Sequence, residues 1–287
     1  MSATMPSVLE RILASTRAEV ERRKSVLPLG ELQHAVGQIA RRADVAEVDG
    51  LPAEQWPRGF AAALARPGIA VIAEFKRRSP SAGMLREQPD LGALVRAYER
   101  GGASALSVLT EQPNFGGSLE DLSLARSLCE LPVLRKDFVV DEYQLLEARL
   151  AEADAVLLIV AALSDADLAA LHTAACALGL DVLVEIHDHE ELRRALELDA
   201  RLIGVNNRDL RDFTVDMQRT LSLRDAIPDG VIVVSESGIA TAEQLQLLER
   251  ERVDAVLVGE SLMRASVPEH ALRALLAGAR PVESETT

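Results

Sequence analysis

Residues 155–187 read AVLLIVAALSDADLAALHTAACALGLDVLVEIH. Two apolar, β-rich runs, 155–161 and 181–187, flank a segment, 165–178, whose apolar residues recur at three- and four-residue intervals. The hydrophobic period therefore changes from strand to helix and back. Ser164 stands where an N-cap belongs, and Gly179 where a C-cap glycine belongs. Strand, helix and strand in this order form a βαβ crossover, which makes the two strands parallel.

The same unit recurs in both directions along the chain. Strand-like runs end in AVIAEFK (70–76), ALSVLT (105–110), VLRKDF (133–138), AVLLIVA (155–161), DVLVEIH (181–187), LIGVNNR (202–208), VIVVSES (231–237) and AVLVGES (255–261). Helical patterns over 91–100, 119–129, 142–151, 165–178, 189–198, 216–226, 242–250 and 268–277 follow them in turn. Eight alternating units predict an α/β fold, a (β/α)8 TIM barrel. An open doubly wound sheet is the alternative, but no GxGxxG follows the first strand. The expected division is an N-terminal helical extension over 1–48 packed on the barrel, the barrel over 49–280, and a disordered tail over 281–287. In the extension, Val8, Leu9, Ile12, Leu13, Thr16 and Val20 trace one helix face. That helix reads either as flank packing or as a lid over the mouth. Pro52, Pro57, Pro67 and Gly68 mark a lead-in loop.

The composition is that of an ordinary globular protein: 287 residues, 48% hydrophobic and 26% charged. A formal net charge of −14 opposes a role on nucleic acid or an anionic membrane. Any anionic ligand then has to be captured by a local positive site. Cys129 and Cys176 fall in helical segments without CxxC spacing, and no histidines are arranged for a metal, so no metal is expected. No apolar run approaches the roughly 20 residues that span a bilayer, and a cytoplasmic location is expected.

Three charged residues stand where burial is costly. Lys76, Lys136 and Glu185 each close an apolar run that reads as a buried parallel strand. They lie at C-terminal strand ends, the face on which barrels place active sites. Glu74 and Lys76, two residues apart, share a face and can pair. One such pair has a structural explanation in mutual neutralisation, but Lys136 and Glu185 repeat the pattern in the same layer. Four ionisable groups on one rim point to acid–base chemistry, with lysines of lowered pKa as acids and a shielded carboxylate as base.

The last two strand ends suggest an anion site. Ser235-Glu236-Ser237-Gly238-Ile239 and Val258-Gly259-Glu260-Ser261 put glycines and backbone N–H groups where barrels hold phosphate. Ser237, Gly238, Gly259 and Glu260, helped by Lys76, are the predicted phosphate ligands, and the partner is a small phosphorylated molecule.

The motifs EFKRRSPSAG (74–83), VLTE (108–111) with FGGS (115–118), LRKDF (134–138), LVEIHD (183–188), GVNNRDL (204–210), SESGI (235–239) and LVGESLM (257–263) run in order along the barrel. This series resembles that of the indole-3-glycerol-phosphate synthases of tryptophan biosynthesis, over about residues 60 to 264. The resemblance implies a cofactor-free carboxy-lyase. It would convert 1-(2-carboxyphenylamino)-1-deoxyribulose 5-phosphate to indole-3-glycerol phosphate, carbon dioxide and water. It casts Lys136 as the acid at the ketone oxygen, Glu185 as the base, and Lys76, oriented by Glu74, as a substrate-binding second acid. It leaves the division of acid duties between the lysines open. Asn206, Arg208, Ser79 and Ser237 match substrate-contacting positions, and Phe115, Phe138, Leu157, Leu210 and Leu257 match an apolar wall for the benzene ring. A monomer is implied, with non-covalent contact with other enzymes of the pathway at most.

Two positions depart from that series. Asn114 stands where many relatives carry a second aromatic residue, and Glu260 where some carry serine. A carboxylate aimed at a phosphate would repel it, so Glu260 is expected to contribute its backbone N–H only. Other phosphate-binding barrels, such as phosphoribosylanthranilate isomerase or thiazole synthase relatives, would share the last two loops without needing Lys76, Lys136 and Glu185 together. A non-catalytic barrel would have little reason to hold all of the rim charges.

Overall fold

Alternation along the strands sorts the side chains into two apolar layers. In a computed structural model, residues 7–48, 57–80, 82–209 and 213–277 are described. The barrel strands are β1 (Ala70–Phe75), β2 (Ala105–Leu109), β3 (Val133–Lys136), β4 (Ala155–Ile159), β5 (Asp181–Ile186), β6 (Leu202–Asn206), β7 (Ile232–Glu236) and β8 (Ala255–Val258). Val71, Ala73 and Phe75 of β1 face the helices, whereas Ala70 and Ile72 join Ala105, Leu134, Leu157, Leu183 and Val234 inside. With both faces covered, the strands are almost wholly buried, as parallel strands must be.

All eight strands are parallel and close in the order β1-β8-β7-β6-β5-β4-β3-β2. The chain is thus the expected TIM barrel. Each predicted helix is present within about two residues at its ends, a normal scatter. Ser164 caps Asp165–Ala177 by accepting from the Asp167 N–H, and Thr241 forms a capping box with Gln244. Gly102 and Gly179 take positive φ past their helices.

Among the described residues, the differences from the sequence reading include three short helices. A five-residue helix, Phe60–Leu64, occupies part of the expected lead-in loop, with Phe60 and Leu64 fully buried among the interior side chains. One turn and a half is too short to show a period. Pro52 and the tail over 281–287 lie outside the described residues, as does Leu210. A second short helix, Gln112–Phe115, is capped by the Glu111 carboxylate, which also accepts from the Asn114 side chain at 2.6 Å. A third, Glu260–Arg264, follows β8.

The extension comprises two helices, α1 (Val8–Val26) and α2 (Leu29–Val48). Val20, Leu32 and Val36 pack with Tyr143 and Leu146 of the helix that follows β3. Lys24 Nζ sits 2.6 Å from Asp141, and the Tyr143 hydroxyl donates to the Leu27 carbonyl at 3.0 Å. The second half of α1 therefore packs on the flank, while Ile12 and Leu13 share the apolar cluster of Phe138, Leu157 and Ile159.

Candidate active site

Barrel interiors fill in layers of four, drawn from alternate strands. In the layer nearest the C-terminal mouth, β1, β3, β5 and β7 contribute Glu74, Lys136, Glu185 and Glu236. Every member is ionisable, and the three carboxylates are buried. Lys136 Nζ lies 3.2 Å from Glu185 Oε2 and 3.3 Å from Glu236 Oε2. Lys76, just past β1, places Nζ 2.5 Å from Glu74 Oε1.

Two glycines make room for this layer. A β-carbon on Gly204 of β6 would collide with Glu236 Oε1, and one on Gly259 would collide with Glu74 Oε1. Gly259 therefore has a packing role besides the predicted phosphate role.

The mutual fields set the protonation states. Burial works against the Lys136 ammonium, but Glu185, Glu236 and Glu74 together outweigh it and raise its pKa above the usual lysine range. This reverses the expectation of a lowered lysine pKa for Lys136. The sequence reading counted the charges without the third carboxylate. Burial pushes Glu185 up, yet Lys136, His187 and the Asn206 amide overcome it and hold its pKa below the ordinary value. For Glu236, burial dominates and the neighbouring carboxylates add to it, so its pKa is pushed up to about 7.

Sequence reasoning passed over Glu236 as an ionisable member of the rim, although it sits inside the quoted SESGI motif. The available signal was parity: in VIVVSE the acid lies two residues past Val234, which faces the interior. His187 was also missed. Its Nε2 lies 3.7 Å from Glu185 Oε1.

The layer floors a cavity of about 370 Å³, within the range of small-molecule sites. Among the predicted residues, Lys76, Ser79, Asn206, Arg208, Ser237 and Gly238 line it. Gly259 and Glu260 line it too, as do Phe115, Phe138, Leu157 and Leu257. The Phe115 and Phe138 ring centroids are 6.2 Å apart, giving an apolar side opposite the charges. Asn206 Oδ1 accepts from Ser237 Oγ at 2.9 Å and from the Arg208 N–H at 3.0 Å, tying β6 to β7. Ser237 and Gly238 have φ of 67° and 84°, two successive left-handed residues that turn the backbone sharply at the mouth. The Glu260 carboxylate pairs with Arg264 Nε at 3.2 Å, and its other oxygen is 3.9 Å from Arg208 Nη2.

Comparison with known proteins agrees with this geometry. The family profile described as Indole-3-glycerol phosphate synthase matches residues 9–275. The chain is 55% identical over 219 residues to Indole-3-glycerol phosphate synthase 2 of Streptomyces coelicolor, covering 76% of this chain and 85% of that protein. It is 46% identical over 275 residues to the Indole-3-glycerol phosphate synthase of Koribacter versatilis, covering 95% and 100%. Among solved structures, a 3-hexulose-6-phosphate synthase superposes with a TM-score of 0.58 at 15% identity, covering 74% of this chain and all of that one. KGPDC from Streptococcus mutans gives 0.56 at 14% identity, covering 74% and 97%. At such identities these two share the barrel fold.

Proposed function

The chain belongs to the indole-3-glycerol phosphate synthase family, and we propose that its charged interior layer, with Lys76, carries the acid–base steps of that reaction. The enzyme is a carboxy-lyase of tryptophan biosynthesis. It closes the ring of 1-(2-carboxyphenylamino)-1-deoxyribulose 5-phosphate, with loss of carbon dioxide and water, to give indole-3-glycerol phosphate.

Ring closure needs an acid at the ketone oxygen while the aromatic carbon attacks. Lys136, held as an ammonium between two carboxylates, suits that role, because it carries a proton at neutral pH and is fixed in direction. Loss of carbon dioxide then restores the aromatic ring. Dehydration needs a base for the ring proton and an acid for the departing hydroxyl. Glu185, ionised and buried, serves as the base, and Lys76, oriented by Glu74, serves as the second acid and as a phosphate contact. Glu236 stands on the other side of Lys136 and shares the hold on its ammonium.

Substrate placement follows from the lining. Ser237, Gly238, Gly259 and the Glu260 backbone hold the phosphate, and the Glu260 carboxylate is kept from it by Arg264. Arg208 meets the anthranilate carboxylate, with Ser79 and Asn206 as further polar contacts. Phe115, Phe138, Leu157 and Leu257 pack on the benzene ring. The domain division at residues 48 and 280 is retained. A monomer is supported by the net charge of −14, which makes copies repel, and a cytoplasmic location with non-covalent pathway contacts at most goes with the biosynthetic family. Sedimentation of the purified protein tests the monomer.

The single observation that carries the site assignment is the placement of Lys136 between Glu185 and Glu236 at the floor of the cavity. Product fluorescence after mixing purified protein with the substrate in EDTA tests it. The parent forms the indole, and folded Lys136→Ala and Glu185→Ala variants do not. Turnover surviving in either variant removes that residue from its role.

A further inference from the structure

Phe115, one of the two rings of the apolar wall, stands on a loop that has to be braced. The chain leaves β2 at Leu109 and comes back against it at Gly117, where a β-carbon would collide with the Leu109 carbonyl oxygen. The Gly117 N–H donates to the Glu111 carbonyl at 2.9 Å and closes the loop at its neck. Between these points runs the helix Gln112–Phe115, a single turn of 4 residues. So short a helix does not hold itself in water, and contacts outside its own ladder must fix it.

The Glu111 carboxylate makes those contacts. Its Oε2 accepts the Asn114 N–H at 2.7 Å and the Phe115 N–H at 2.9 Å, and its Oε1 accepts from the Asn114 side-chain amide at 2.6 Å. Pro113 has no N–H to offer, so the carboxylate takes the main-chain donors of the last two helical residues. In a capping box the third helical side chain accepts a hydrogen bond, whereas here Asn114 donates one back to the capping carboxylate. Glu111 is 3% exposed. Burial, with the field of Asp137 added, raises its pKa above the ordinary value against those three hydrogen bonds. From the loop after β1, Arg77 and Arg78 bring positive charge to the far end of the helix, donating to the Gly116 and Pro113 carbonyls at 3.2 and 2.7 Å. Phe115 lines the cavity, but Glu111 and Asn114 do not.

We propose that Glu111 and Asn114 are positioning residues, a latch that holds the Phe115 ring at the depth where it meets the benzene ring of the substrate. This rests on Phe115 packing on that ring. The latch works because one partner donates and the other accepts.

Asn114→Asp sets a second carboxylate against the first. In acid the pair shares one proton, and the O–H of one replaces the lost amide donor; as pH rises the proton leaves and the two repel. Relative to the parent, KM for the substrate is near parental in acid and climbs with pH, by about three- to tenfold at the alkaline end. Inhibition by inorganic phosphate, which has no ring to place, equals that of the parent throughout. Adding Glu111→Gln supplies an amide from the other side, and the double variant recovers the parental KM at every pH. If Asn114→Asp does not fold, Asn114→Ala carries the test: it loses the donor without adding a charge, and its KM rises about threefold at every pH. The latch is overturned by a variant-to-parent KM ratio for Asn114→Asp that stays flat with pH, or by no recovery in the double variant. A ratio near one for Asn114→Ala overturns it as well, and so does an equal loss of phosphate inhibition, which would mean that the whole mouth has loosened. Phe115→Ala tests the premise separately. If it leaves KM unchanged, the wall assignment fails; if it raises KM while the Asn114 variants behave as the parent, the wall stands and only the latch fails.

Discussion

Gly204 on β6 and Glu236 on β7 share one small space: Glu236 Oε1 occupies the position that a β-carbon at 204 would require. The glycine is therefore a condition for a buried carboxylate beside Lys136. In Gly204→Ala, Glu236 has to move, and a shift of about 1 Å at a reacting layer can lower the rate about 10²-fold. Overpacking also destabilises by about 1–3 kcal/mol. Steady-state assay and urea unfolding measure both. Near-parental activity would show that Glu236 relaxes without disturbing Lys136.

Glu236 makes stability depend on pH. Its pKa rises from an ordinary 4.5 to about 7 in the folded protein, chiefly through burial. The folded state thus binds this proton more tightly than the unfolded chain. The contribution is full below about pH 4.5 and is lost as pH climbs through about 7, on the order of 3 kcal/mol across the window. Glu236→Gln removes this dependence, and urea unfolding of parent and variant at several pH values shows a flatter curve for the variant. Parallel curves would refute the raised pKa.

Lys136→Met leaves Glu74, Glu185 and Glu236 facing one another without their shared cation. Glu185 and Glu236 then hold protons more tightly when folded, so the variant becomes less stable as pH rises above the ordinary carboxylate range. The loss relative to the parent is about 3–5 kcal/mol near neutral pH and shrinks in acid. Unfolding curves at both ends of that range measure it, and the variant makes no product. A loss of equal size in acid and at neutral pH would exclude carboxylate repulsion as its cause.

The barrel was legible because eight apolar runs and eight helical periods alternate, and each signal is local. Lys76, Lys136 and Glu185 were legible for a related reason: a charge closing an apolar run is visible without coordinates. Glu236 carries the same kind of signal but sits within a phosphate-loop motif, which absorbed its reading. The role of Gly204 was not legible, because it depends on the carboxylate of the neighbouring strand. His187 was hidden likewise, since its meaning lies in which oxygen of Glu185 its ring faces. The helix Phe60–Leu64 is held by tertiary burial of two side chains, and so short a segment has no periodicity to detect.

The far side of β3 supplies the last prediction. Arg135 points away from the interior, is fully buried, and reaches Thr110 Oγ1 at 3.1 Å, the Gln144 carbonyl at 2.5 Å, Asp137 at 3.0 Å and Glu147 at 3.2 Å. Glu147 in turn lies 2.9 Å from Arg23 of α1, so the extension connects by charges to the residue preceding Lys136. Arg135→Met leaves Asp137 with only the Thr110 hydroxyl and the Phe138 N–H, and Glu147 with Arg23 as its one cation, and is expected to lower stability by about 3–5 kcal/mol. Arg23 is partly exposed, and Arg23→Gln should lower it by about 1 kcal/mol or less. Urea unfolding of the two variants tests the ranking. Equal losses would mean that the extension, rather than the buried guanidinium, holds the outer face of β3 in place.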